Sequence, residues 1–275
     1  MKSVLSLALA CSIMTTIVSA QGTISPDIRA KALTLRDGTQ IHFLEAGRSS
    51  SAPALVLIPG WTLPASLWKE QLQKFSTNRL AIALDPRSQS DSSKTELGNT
   101  PEQRARDTRE ILSMLHISDA VLVGWSQDSQ DVAAYIQQFG TSSVAGVAFV
   151  DSPISAGPSE IEENKEWSQR FLGMLDLYVN YPAEYSAGMV RSIFKKPHPE
   201  LNLEQVIAQS RKTPVSTGVT MLMMDIFAVD RRPALAKLDK PTLVIASPDS
   251  NKRSVLFTAS TRLVTVCHNL VICQL

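Results

Sequence analysis

The stretch that most constrains this chain runs from Asp119 to Gly140. A short apolar run, Val121 to Val123, stops at Gly124, and Ser126 follows two residues later. Asp131 to Phe139 then has apolar residues at helical spacing and ends at Gly140. A continuous apolar run of this length reads as a buried strand, and the helical period with a terminal Gly reads as a helix and its stop. Ser126 therefore sits at the tip of a sharp strand-to-helix turn, lifted out of a sheet. The N-terminus of the next helix lies behind it, where backbone N–H groups can stabilise negative charge.

That context is the one a nucleophile elbow of pattern Gly-x-Ser-x-Gly demands. Gly124, Trp125, Ser126 and Gln127 fit the pattern, and Asp128 stands where its last Gly belongs. A Gly there allows close packing. An Asp adds a side chain and a negative charge two residues from the hydroxyl.

With 275 residues the chain can bury a large core, and one α/β domain with an insertion is the natural expectation. A formal net charge of +1 and the lack of a basic cluster speak against nucleic acid or another polyanion as partner. Residues 1–20 read as a secretory signal peptide. Lys2 forms a basic start, Val4 to Val18 is mostly apolar, and Val18-Ser19-Ala20 supplies small residues before Gln21. The expected location is secreted or periplasmic, with no stable membrane span after cleavage. A lipoprotein reading at Cys11 is disfavoured because Ala8 stands where a Leu is expected. Cleavage leaves Cys267 and Cys273, spaced for a disulfide or present as two thiols. His42, His116, His198 and His268 lie far apart in the chain, none in a metal-binding spacing, so no metal site is expected.

In chain order, Lys31–Arg36 and Gln40–Glu45 read as strands joined by a turn at Asp37-Gly38-Thr39. Ala54–Ile58 is a strand buried on both faces, ending at Pro59-Gly60-Trp61. Leu63–Phe75 has helical periodicity, Leu80–Leu84 is a strand, and Pro101–Leu115 is a helix capped by Thr100. Ala145–Val150 is a strand ending at Asp151. From Ser159 to Ala236 the pattern is helical, with one apolar stripe of Trp167, Phe171, Leu172 and Leu175. A second stripe, Met221, Met223, Met224, Ile226 and Phe227, suits either core packing or an adaptable substrate lining. Lys240–Asp249 contains a strand and Arg262–Val266 the last one. The expected architecture is a doubly wound, mostly parallel sheet with an inserted helical cap: core 21–158, cap 159–236, and core again 237–275. Trp61, Asp85, Ser126, Asp151, Asp249 and His268 fall at the carboxyl ends of strands, where such sheets gather ligands.

Together these features resemble the α/β-hydrolase fold, in the lid-bearing branch of non-haem haloperoxidase-like esterases. The likeness rests on Ile58-Pro59-Gly60-Trp61, on Asp85 to Ser93, on Gly124-Trp125-Ser126, on Phe149-Val150-Asp151, and on Arg232-Pro233-Ala234-Leu235 leading into Pro241 to Ile245. It implies Ser126 as nucleophile, the backbone N–H groups of Trp61 and Gln127 as oxyanion hole, and His268 as base. Asp249 is the implied acid, with Asp151 as the alternative, while Asp85 and Arg87 brace the site. It also implies small esters or lactones as substrates, with no cofactor. The tail departs from the family: Cys267 stands before His268 where a Gly is usual, and the closing helix is replaced by a short apolar run. A catalytically impaired scaffold that binds a small molecule or partner is the alternative, resting on Asp128, on Ser90 where a Gly is common, and on that tail.

Overall fold

The computed structural model describes residues 27–194, 201–246 and the backbone of 264–267. Residues 1–20, with the expected signal peptide, and Asp249, His268 and Cys273 lie outside the described residues.

Eight strands form one sheet in the order β1-β2-β4-β3-β5-β6-β7-β8. They are β1 (Arg29–Thr34), β2 (Gln40–Ala46), β3 (Ala54–Ile58), β4 (Ala81–Leu84), β5 (Ala120–Trp125), β6 (Val144–Val150), β7 (Thr242–Ile245) and β8 (Val264–Cys267). β1, β2 and β4 pair antiparallel, and every later pairing is parallel. β3 to β7 are short, apolar and almost wholly buried because helices cover both faces.

The strand order turns back between β3 and β5, and in open α/β sheets a crevice opens at such a switch point. Ile58 stands opposite Gly124 in the parallel register. The chain leaving β3 therefore reaches Trp61 beside the chain leaving β5 at Ser126. Two loops remote in sequence adjoin at one sheet edge.

One face of the sheet is covered by α2 (Pro101–Met114) and α3 (Ser129–Phe139), and α1 (Lys69–Phe75) packs on the other. The Thr100 hydroxyl accepts the Gln103 N–H at 3.3 Å, with Pro101 in the first turn. The helix expected from Leu63 begins later: a 3₁₀ turn at Ala65–Trp68 follows Pro64 and only then does α1 start.

After β6 the chain builds the cap from α4 (Glu160–Glu163), α5 (Lys165–Asn180), α6 (Pro182–Ile193), α7 (Leu203–Ser210) and α8 (Val215–Met223). α8 runs directly into a π-helical turn at Met224–Ala228. Trp167, Phe171 and Leu175 of the expected stripe pack inward, whereas Leu172 is 38% exposed. Met221 and Phe227 are buried against Trp61 and Tyr178, so most of the Met-rich stripe is packing, and Ile226 is its member on the cavity. No helix among the described residues is long and apolar enough to cross a membrane.

The turn after β5 is so tight that a Cβ on Gly124 would meet the Asp128 carbonyl oxygen and the Ser129 Cα, each at 2.8 Å. Both are backbone atoms and cannot swing aside. Gly124→Ala is expected to force α3 off the sheet at a cost of about 1–3 kcal/mol, lowering Tm by roughly 2–10 °C in a thermal melt. An unchanged Tm would mean that the turn relaxes freely.

Candidate active site

Ser126 has φ +52° at the carboxyl end of β5. Left-handed backbone at a non-glycine residue costs about 1–3 kcal/mol and persists where packing on both sides holds it. Here β5 holds one side and α3 the other. The turn delivers Ser126, half-buried, into a cavity of about 760 Å³ between the sheet edge and the cap. Trp61, Trp125, Trp167, Phe171, Met174 and Tyr185 are among its walls.

Gly60 lies against the serine. A Cβ there would stand 3.0 Å from the Ser126 Cβ, so the missing side chain lets the β3 loop approach closely. Trp61, which follows it, and Gln127, which follows Ser126, line the same cavity. Gln127 is the middle residue of the 3₁₀ turn Ser126–Asp128 that leads into α3, where N–H groups lack acceptors within the helix.

Asp151 terminates β6, also with positive φ, +52°, and its N–H donates to the Ile245 carbonyl at 2.7 Å. It lines the Ser126 cavity. Asp249 and His268 are outside the described residues, although β7 and β8, which precede them, pair beside β6.

Asp85 and Arg87 do not line this cavity. Asp85 accepts the Ala65 N–H at 2.6 Å and so ties down the loop that carries Trp61. Its other oxygen meets His42 Nδ1 at 2.6 Å, a bond that raises the His42 pKa. Arg87 is fixed by two bonds to Asp107, at 2.7 and 2.8 Å. Ser88 and Ser90 hold positive φ, 65° and 41°, a backbone region that favours glycine, as expected at Ser90. His42, Asp85 and Asp91 bring possible ligand atoms within 4.8 Å of one another, which the spacing of the histidines did not suggest. Lys212 already contacts Asp91, and Asp85 is committed to Ala65.

Beneath the elbow lies a buried charge network that linear spacing could not reveal. Arg104 of α2 binds Asp131 of α3 through Nε and Nη2, at 2.8 Å each for the shortest contacts, and reaches Asp225 of the cap at 2.8 Å. Its partners are 27 and 121 residues away. Asp128 is also fully buried, but its one recorded bond is from Gln89 at 3.3 Å, and its Oδ1 has no partner among the described residues. Burial, then the neighbouring Asp131 charge, pushes the Asp128 carboxyl well above its ordinary range. Arg104 bonds directly to Asp131 and Asp225 but not to Asp128, so burial disfavours the charged form of Asp128 with no cation bonded to it in compensation. The same burial works against the negative charge expected two residues from the Ser126 hydroxyl. Its backbone, φ −76°, does not need a glycine.

A family profile described as alpha/beta hydrolase fold matches residues 53–252. A non-haem haloperoxidase of Rhodococcus erythropolis is 29% identical over 120 residues, 43% of this chain and 42% of that protein. A non-haem chloroperoxidase of Kitasatospora aureofaciens is 29% identical over 109 residues, 39% of this chain and 38% of that protein. The chain thus spans about two fifths of the length of the curated relatives it matches. Among solved structures, an esterase from Exiguobacterium antarcticum superposes with a TM-score of 0.75 at 15% identity, over 87% of this chain and 90% of that one. A bromoperoxidase from Bacillus anthracis gives 0.75 at 19% identity, over 87% and 91%. At such identities these structures show the fold.

The raised Asp128 pKa has a measurable consequence. The folded chain keeps a proton there to higher pH than the unfolded chain, which releases it above about pH 4. Its contribution to stability is full below that pH and declines as pH rises towards the folded pKa. Asp128→Asn keeps the shape without titrating. It is expected to match the parent near about pH 4 and to melt at least about 2 °C higher at about pH 8. Superimposable Tm profiles across that range would show that Asp128 is ionised in the fold.

Proposed function

We propose, on the premise that this chain belongs to the α/β-hydrolase fold family, that it is a secreted serine hydrolase of small esters or lactones. The observation that carries the reading is Ser126 itself, held at φ +52° and presented to an aromatic-walled cavity of about 760 Å³. That volume suits a small molecule and its walls suit an apolar acyl or aryl group.

A Ser hydroxyl needs a base to become a nucleophile at neutral pH. In the proposed reaction Ser126 Oγ bonds to the acyl carbon as its proton passes to His268, which Asp249 orients, or else Asp151. The carbonyl oxygen becomes an oxyanion facing the N–H groups of Trp61 and Gln127. Collapse breaks the bond to the alkoxy oxygen, which leaves with the proton from His268. Water then repeats the sequence on the acyl-enzyme, and the acid departs. Burial raises the Asp128 pKa and so weakens the repelling charge on which the impaired-scaffold reading rests. Residues 1–20 would direct the chain out of the cytoplasm.

A fluorophosphonate probe on the mature chain tests the reading. Labelling of the parent is expected, with none for Ser126→Ala. His268→Ala is expected to lower ester turnover by at least about 10³-fold. Asp249→Asn and Asp151→Asn identify the acid by which of them falls comparably. A folded parent that does not label would return the chain to the binding-scaffold reading.

A further inference from the structure

Trp61 and Gln127, the two residues whose N–H groups face the oxyanion in the proposed reaction, both send their side chains to the cap. The Trp61 indole Nε1 donates to the Gly218 carbonyl at 2.8 Å. The Gln127 amide Nε2 donates to Asp225 Oδ2 at 2.6 Å. These bonds span 157 and 98 residues of sequence, and both are buried. Their acceptors lie on one continuous piece of cap, α8 and its π-helical turn, Val215–Ala228. The chemistry uses only backbone N–H from Trp61 and Gln127, so their side chains are free to serve as handles.

Each handle is gripped firmly. The Trp61 ring packs edge-on against Tyr178, with centroids 4.7 Å apart, and against Tyr185 at 6.1 Å. Gly218 lets α8 come this close, since a Cβ there would stand 2.4 Å from the Tyr178 hydroxyl oxygen. Asp225 is wholly buried, and Arg104 binds the same carboxylate oxygen that takes the Gln127 amide. Arg104 is anchored in turn on Asp131 of α3, the helix that starts behind Ser126. Arg231 holds the Asp225 carbonyl at 2.7 Å. The π-helical turn leaves Asp225 facing this network and Ile226 on the cavity, and such turns recur at functional sites.

We propose that the cap segment Val215–Ala228 is the clamp of the oxyanion hole, with the Gly218 carbonyl and the Asp225 carboxylate as positioning groups for the N–H donors of Trp61 and Gln127. This rests on the hydrolase reading above. Oxyanion donors act only when preorganised about 2.7–3.1 Å from where the charge develops, and a misplacement of about 1 Å can cost 10²-fold in rate. The hole is thus complete only while this part of the cap is seated. Loosening either handle should weaken transition-state stabilisation and leave ground-state binding of a small ester nearly unchanged.

The test uses the full mature chain, p-nitrophenyl acetate and a fluorophosphonate, with Tm recorded for each variant. Trp61→Phe keeps an aromatic ring, smaller than the indole, and removes the N–H donor. Asp225→Asn keeps the shape and weakens the charge-assisted bond. Each is expected to lower kcat by about 10-fold or more with KM within about 2-fold, and to slow phosphonate labelling in parallel. In a Gln127→Met background Asp225→Asn is expected to cost nothing further, because Asp225 acts through Gln127. If Asp225→Asn does not fold, Gln127→Met alone reads the same bond and leaves the Arg104–Asp225 pair intact. A kcat within about 2-fold of the parent in the folded variants would overturn the clamp, as would an equal Asp225→Asn loss in both backgrounds. An unlabelled parent overturns the hydrolase reading and the clamp with it. A labelled parent with unaltered variants overturns the clamp alone.

Discussion

Everything at this site depends on how closely α3 can approach β5. The contact is made at Gly124, where no side chain fits between strand and helix. That approach drives Ser126 into left-handed backbone and leaves the first N–H groups of the helical turn behind it. The parallel register of β3 on β5 then brings Gly60 against the serine. One steric condition therefore sets the hydroxyl, its helix and the neighbouring loop at once.

A close approach also buries what lies beneath it. Asp128, Asp131 and Asp225 are all removed from water within one neighbourhood, and burial raises the pKa of each. Three bare carboxylates could not share that space. Arg104 resolves most of the conflict by bonding to Asp131 and Asp225 together, and the raised pKa of Asp128 eases the rest by favouring its neutral form. The departure from the usual elbow glycine brings no backbone distortion, since Asp128 stays in an ordinary region.

Much of the scaffold was legible in the sequence because it follows from patterns a few residues long. The apolar runs at Ala54–Ile58 and in β5, the cap at Thr100 and the stop at Gly140 are local signals, and each lies where the structure puts an element. The gathering of Trp61, Ser126 and Asp151 around one cavity follows from strand ends in a parallel sheet. What the sequence hid is long-range and polar. Nothing near Arg104 announces a partner 121 residues away, and the tryptophan of an apolar turn does not advertise that its nitrogen will meet Gly218. The Met-rich stripe had two readings because apolar periodicity shows that a face is buried without showing what lies opposite. Trp61 and Tyr178 lie opposite most of it. The acidic loop after β4 had the same limit. Asp85 faces His42 and Ala65 because β2 lies antiparallel to β4, a pairing that spacing alone does not give.

Why the elbow and cap should meet through buried ions rather than apolar packing has a physical answer. A buried ion pair contributes little net stability, because desolvation offsets most of its attraction, and an apolar cluster of equal volume would hold the two parts together as well. Apolar contacts, however, tolerate sliding and rotation, as the Met-rich face of α8 would permit. A carboxylate shared by an amide at 2.6 Å and a guanidinium at 2.8 Å admits one arrangement, since any shift strands a charge in a dry interior. The indole bond to Gly218 restricts the opposite wall in the same directional way. Packing thus seats the cap, and the polar contacts fix its bearing on Trp61 and Gln127, two residues that line the Ser126 cavity.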